Sequence, residues 1–209
     1  MIERFERPVT PADLSPGLVA LIGEVAPGQV PIYVDAIPTE GAPPDECFGL
    51  VDRQVARYGG ESILGWALWE FPTLFVEAEF HCVWRAPGGR LIDVAPKKSP
   101  TTRILFVLDE QRRYEGHSVN NMRRPLRKDP AVAEYLSTFE DLFMLMNRGA
   151  RAGQHGEISL VGDEALEFHA IQSRQAALGT YVMGLAPVVG PYLPCPCGSG
   201  KKLKWCCGG

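Results

Sequence analysis

Residues 63–84 read ILGWALWEFPTLFVEAEFHCVW, and this run decides the fold. It is rich in aromatic and β-branched residues and is broken only at Pro72, so it reads as two strands, 63–71 and 74–84. Period-two alternation puts Glu77, Glu79 and His81 on one face of the second strand. Ala86-Pro87-Gly88-Gly89 is a turn signal, after which 90–95 continues as a strand and 103–108 forms another. Upstream, residues 11–24 suit a short helix, with Asp13 or Ser15 as N-cap and Pro16 in the first turn. Residues 30–34 suit a short strand. Pro43-Pro44-Asp45 announces a second helix, capped by Asp45, with Phe48, Val51 and Val55 as its apolar face and Gly59-Gly60 as its stop. Downstream, Asp129-Pro130 opens a helix running to about Asn147. Gly162-Asp163 opens a last one, to about Ala177. The expected fold class is α+β, an antiparallel sheet with flanking helices.

The boundary of that domain is set by composition. Residues 184–194 contain Pro187, Gly190, Pro191 and Pro194, which suits a linker. The expected organisation is a core domain over 1–183, a linker over 184–194 and a small knuckle over 195–209. The opening MIERFERPVT carries charge where a secretory signal needs an apolar run. No stretch approaches the roughly 20 apolar residues of a membrane span. The expected location is cytoplasmic.

The chain of 209 residues has 45% hydrophobic residues and a formal charge of −4, which argues against general nucleic-acid binding. Its basic residues are concentrated, however. Residues 97–128 hold nine Lys and Arg against three acidic residues. A solvated face with local ion pairs is the first reading. A docking surface for an acidic protein or RNA phosphates is the second.

Four of the six cysteines crowd the last fifteen residues, as Cys195, Cys197, Cys206 and Cys207. Four thiolates suit a tetrahedral Zn²⁺. The eight residues between the two pairs must fold back. Gly198-Ser199-Gly200 permits a tight turn whose amides can hydrogen-bond the sulfurs. Zn²⁺ with four thiolates carries two negative charges, and Lys201, Lys202 and Lys204 lie beside them. So short a segment has no core of its own, so metal would supply its folding energy. Leu203 and Trp205 would form its small apolar face or its contact with a partner. A disordered tail, or a Cys206–Cys207 disulfide, is the competing reading.

This segment, PCPCGSGKKLKWCCG over 194–208, resembles the SEC-C motif, the zinc tail of SecA translocation motors. The resemblance implies bound zinc, a bacterial origin and a protein partner, a SecB-like chaperone or the ribosome. Upstream there is no Gly-x-x-x-x-Gly-Lys-Ser/Thr phosphate loop. Residues 59–70 with 77–84 are also similar to the body of bacterial proteins that end in SEC-C tails.

Two cysteines remain, Cys47 and Cys82. Cys47 falls in the first turn of an expected helix, where free amides and the helix dipole favour a thiolate. A cysteine nucleophile needs a histidine and an orienting carboxylate besides. If Ala86-Pro87-Gly88 is a three-residue hairpin loop, His81 faces Asp93 across the two strands, whereas a loop one residue longer or shorter breaks that opposition. The order of helix-start Cys47, His81-Cys82-Val83-Trp84 on a strand and Leu91-Ile92-Asp93 on the next is similar to the transglutaminase-like branch of the papain-like fold. That resemblance implies a catalytic triad of Cys47, His81 and Asp93. Asp45 and Glu46 precede Cys47 in place of the family's glycine, and their charge opposes the helix effect.

Other assignments compete. Cys47 also suits a small buried helix residue, His81 a satisfied strand histidine and Asp93 a turn ligand. Glu77, Glu79, His81 and Asp93 could instead hold a divalent ion. Two functions follow. The first is a zinc-binding protein whose knuckle docks a protein partner. The alternative is a cysteine-dependent amide hydrolase or acyl transferase.

Overall fold

The computed structural model describes residues 2–44, 46–99, 101–153 and 158–208. Its elements run β1 (Glu3–Arg4), α1 (Pro16–Val25), β2 (Ile32–Ala36), α2 (Cys47–Tyr58), β3 (Glu61–Phe71), β4 (Phe75–Arg85), β5 (Leu91–Asp93), β6 (Arg103–Leu108), β7 (Met122–Pro125), α3 (Pro130–Met146), α4 (Asp163–Gly184) and β8 (Val188–Val189). The α+β class holds.

The long hairpin of β3 and β4 organises everything else. Its register pairs Glu61 with Arg85 and continues without a break to Phe71 with Phe75. Thr73, at φ 66, makes the reversal. The outer edge of β3 takes β6, which takes β2, which takes β5, which returns to β4. Five strands thus close into a barrel-like ring, and β7 is added on β4. The expectation of an antiparallel sheet needs one correction, because β2 and β5 pair in parallel, Asp35 with Ile92 and Ala36 with Asp93. A parallel pair needs a long crossover, and α2 with the β3–β4 hairpin supplies it.

Alternation along β4 sorts its side chains. Val76, Ala78 and Phe80 pack with Trp66 and Leu68 under α1. Cys82 on the same face packs under α2, with Cys47, Leu50 and Val51. The opposite face points into the ring, where Val83 meets Val34, Ala67, Trp69, Ile104 and Phe106. The α3–α4 pair lies over the hairpin end, against Leu74 and Phe75.

Helix starts follow the capping chemistry. Ser15 accepts from the Leu18 amide and Asp129 from the Ala131 amide, each followed by proline. The expected cap Asp45 lies outside the described residues. α2 begins at Cys47 itself, with Glu46 as an N-cap that makes no side-chain bond. α4 runs seven residues past the expected end.

Two differences matter for function. The β4–β5 turn spans 86–90, closed by bonds between Ala86 and Arg90 and between Gly89 and Ala86. The register therefore pairs Trp84 with Ile92, two residues from the expected one. In addition, residues 184–194 carry β8, which pairs with β1. Behind it Cys195, Cys197 and Leu203 pack onto Phe5, Val9 and Val189. The knuckle thus rests on the body.

β7 was not expected, because it lies in the polar stretch 112–128. Charge pairing explains it: Arg123 stands opposite Glu77 in the ladder and bonds it at 2.7 Å, and Arg124 pairs with Glu24. Part of the basic excess of 97–128 is met locally: Lys97 also pairs with Asp93, while Arg112 pairs with Asp109 inside the stretch and Arg103 lies over the Tyr33 ring.

Candidate functional site

Residues 79–83 of β4 sit in a gap. On the edge away from β3, β7 pairs with residues 75–78 and β5 with 84–85. Among the described residues no strand pairs with the stretch between. The start of α2 and the segment after β5 close this opening, with Cys47, Val94 and Ala95 buried together. His81 lies in the gap. The sequence-predicted Cys47, His81 and Asp93 therefore come together from a helix start and two strands.

The hairpin slip does not separate His81 from Asp93. A shift of two residues preserves the face, so Asp93 falls opposite Val83 and reaches His81 diagonally. His81 Nε2 lies 3.0 Å from Asp93 Oδ1, with the two residues 1% and 0% exposed. The same Oδ1 accepts from the Ala95 amide at 3.1 Å. Lys97, which the sequence reading passed over, completes the group. Its Nζ is 2.9 Å from Asp93 Oδ2 and 3.2 Å from His81 Nε2. Its only sequence signal is its position four residues after Asp93, at the end of a short strand.

Opposed forces set the charge of the pair. Burial and the Lys97 ammonium both work against protonated His81. The Asp93 hydrogen bond, the adjacent Cys47 side chain and the Asp93 charge outweigh them and raise the pKa to about 10. Burial would raise the Asp93 pKa, but the His81 bond and charge, followed by Lys97, hold it below the ordinary carboxylate value. Both shifts favour the imidazolium–carboxylate form of the pair. His81 Nδ1 makes no hydrogen bond among the described residues and has Glu79 Oε1 at 4.0 Å.

Cys47 is 4% exposed. As the first residue of α2 it stands among first-turn amides that have no intrahelical acceptor. Phe48, the next residue, stacks flat on Tyr114 at 3.7 Å between ring centres. Cys82 is a different kind of thiol. Burial first, and then the neighbouring Cys47, push its pKa up to about 12, so it packs as an apolar group.

The carboxylate–histidine metal site does not form. Glu77 is held by Arg123 and Asn121, and Glu79 accepts from the Trp69 indole at 2.8 Å. Among the described residues only Cys195, Cys197, Cys206 and Cys207 bring three or more potential ligand atoms together.

Those four sulfurs lie within 4.8 Å of one another. A tetrahedral Zn–S bond of about 2.3 Å requires sulfurs about 3.8 Å apart, so the set fits such an ion. The turn between the pairs is built as expected, with Gly198 and Gly200 at φ 83 and 71. The added polar contact comes from the Ser199 hydroxyl, 3.2 Å from Cys206 Sγ. Burial would raise the Cys206 pKa, but Ser199 and the neighbouring cysteines bring it down to about 7. Leu203 and Trp205 divide the apolar role: Leu203 is buried against the body, while Trp205 is 60% exposed beside Tyr192, with Lys202 and Lys204 over its ring.

A cavity of about 840 Å³ lies between knuckle and body, lined by Arg7, Trp69, Arg103, Lys201 and Trp205 among others. A second, of about 400 Å³, lies beyond α1. Neither is lined by Cys47, His81 or Asp93. No helix among the described residues is long and apolar enough to cross a membrane.

No protein-family model and no solved structure matches the chain. It is similar to the protein translocase subunit SecA of Syntrophus aciditrophicus (strain SB), 39% identical over an alignment covering 94% of this chain and 26% of that protein. It is also similar to the SecA subunit of Ralstonia nicotianae, 30% identical over 57% of this chain and 12% of that protein. The chain thus spans about a quarter or less of the length of these relatives. The similarity and the four-cysteine cluster together fit a SEC-C motif protein.

Proposed function

We propose that this SEC-C motif protein is a cysteine-dependent acyl-transfer enzyme, an amide hydrolase or acyl transferase acting through Cys47, His81 and Asp93. The observation that carries the reading is the buried His81–Asp93 pair at 3.0 Å with Cys47 at a helix start beside it. The order of these three elements supports a papain-like core of the transglutaminase type, and the parallel β2–β5 pair is its departure from a plain antiparallel sheet. The proposed organisation is a core over 1–183, a connecting segment over 184–194 and a knuckle over 195–209 that holds zinc. A cytoplasmic, bacterial setting accords with the SecA relatives.

In this reading the Cys47 thiolate attacks the carbonyl carbon of an amide. The C–S bond forms, the first-turn amides receive the oxyanion, and the C–N bond breaks as the amine takes a proton from His81. Water or a second amine then attacks the thioester carbonyl and gives its proton to His81 as the C–S bond breaks. Asp93 holds the ring throughout. Cys47 is 4% exposed, so a substrate reaches it only if its cover opens.

The test is acylation by p-nitrophenyl acetate, followed by mass spectrometry of the intact chain. One acetyl group on Cys47, absent from Cys47→Ala and slowed in His81→Ala, supports the reading. Acetylation indifferent to both changes removes it.

A second reading is favoured by the exposed Tyr192, Leu193 and Trp205 with their lysines. In it the knuckle docks a protein partner, SecB-like or ribosomal. Co-sedimentation with ribosomes and binding to purified SecB, each compared with Trp205→Ala, tests it. Equal binding by both proteins, or none by either, contradicts it.

A further inference from the structure

Asp93 is fully buried, and its two oxygens do different work. Oδ1 holds His81 and the Ala95 amide, while Oδ2 meets Lys97 at 2.9 Å. An ammonium has donors only. At 3.2 Å from Nε2, Lys97 therefore opposes an imidazolium while binding the carboxylate that attracts it. The Lys97 side chain is 12% exposed, so water screens this opposition little.

We propose that Lys97 is a positioning residue of the Cys47 site, which holds Asp93 by Oδ2 and keeps the imidazole able to release its proton. The proposal rests on the acyl-transfer reading above. A buried carboxylate facing histidine alone would lock the proton on the ring. The ring would then serve as acid to the leaving amine but not as base to the incoming water. Lys97 shares the carboxylate charge and loosens that hold. The other groups facing His81 do not do this: Glu79 stands at 4.0 Å from Nδ1, where its charge favours the proton, and Cys47 acts in the same direction. The direction of the Lys97 effect, against the imidazolium, agrees with this role.

The experiment is a histidine-selective NMR titration of His81 in the full chain, wild type against Lys97→Met and Lys97→Arg, with thioester lifetime measured alongside. Lys97→Met keeps the stem and removes the charge. Its His81 midpoint should rise by about one unit, and the acetyl-Cys47 thioester should hydrolyse about tenfold more slowly at pH 7. Lys97→Arg should return both toward wild type. An unchanged midpoint in Lys97→Met, or a shift with an unchanged thioester lifetime, overturns the proposal. Should Lys97→Met not fold, Lys97→Arg decides: retained charge predicts a near-wild-type midpoint and lifetime, and loss of both overturns it. The failure of the underlying reading is distinct. It would show as Cys47 acetylation that ignores His81→Ala, whatever Lys97 does.

Discussion

His81 Nε2 and Asp93 Oδ1 meet at 3.0 Å although the two residues are not opposite one another in the β4–β5 ladder. Trp84 pairs with Ile92, so Asp93 reaches His81 on the diagonal. The contact survives because a two-residue slip leaves both side chains on the inner face of the ring. The cost of breaking such a pair from one side is high, because the remaining charge stays buried. Asp93→Ala should lower stability by about 3–5 kcal/mol, measured by urea unfolding at pH 7. A loss within about 0.5 kcal/mol, typical of an exposed substitution, would mean that the pair is not held as described.

The same pair predicts a pH profile. The His81 pKa is raised from 6.5 to about 10 in the fold, so its contribution to stability is complete below about pH 6.5 and is lost as the pH rises through about 10. Asp93 is shifted the other way. Its contribution is present above the ordinary value of 3.8 and is lost as the pH falls through its lower native value. Stability of the wild type should fall between pH 7 and 10, and His81→Gln should flatten that slope. Parallel curves for the two proteins would contradict the assignment.

Gly65 stands opposite His81 across the β3–β4 ladder. A Cβ there would lie 2.2 Å from the Val107 carbonyl oxygen and 2.5 Å from Phe106 Cζ. The first neighbour is backbone and cannot swing away. Gly65→Ala should destabilise by about 1–3 kcal/mol and slow acetylation of Cys47 by disturbing the ring beside His81. A neutral effect in thermal unfolding would contradict the packing.

The knuckle separates two apolar residues by role. Leu203 is buried against Phe5, Val9 and Val189, so Leu203→Ala should cost about 2–5 kcal/mol in the stability of that end, read from Trp205 fluorescence during unfolding. Trp205→Ala should leave stability within about 0.5 kcal/mol. Elemental analysis should find one zinc per chain, falling to near zero in Cys206→Ser, with the β3–β4 ring still folded by circular dichroism. Metal retained in that variant would contradict the four-sulfur site.

Much of this was legible in the sequence, for reasons that differ by element. The β3–β4 hairpin shows in its aromatic and β-branched run, and the α1 and α3 starts show in Ser15-Pro16 and Asp129-Pro130, because these signals are local. The four metal-site cysteines show in their spacing. The ring does not show, since its closure and the parallel β2–β5 pair depend on contacts far apart along the chain. β7 is hidden because its arginines read as surface until Glu77 and Glu24 are placed beside them. The 184–194 segment reads as a linker by its prolines, yet Val188 and Val189 find β1, a partner nearly the whole chain away. Lys97 is hidden because its place four residues after Asp93 gains meaning only once β5 is seen to end there, and nothing else separates it from the other basic residues of 97–128.

In the proposed acyl transfer His81 activates Cys47. Alkylation of the native protein by iodoacetamide at pH 6, mapped by peptide mass spectrometry, tests it most directly. Modification of Cys47 should run well ahead of Cys82 and slow at least tenfold in His81→Ala. Equal labelling of Cys47 in wild type and His81→Ala would contradict it.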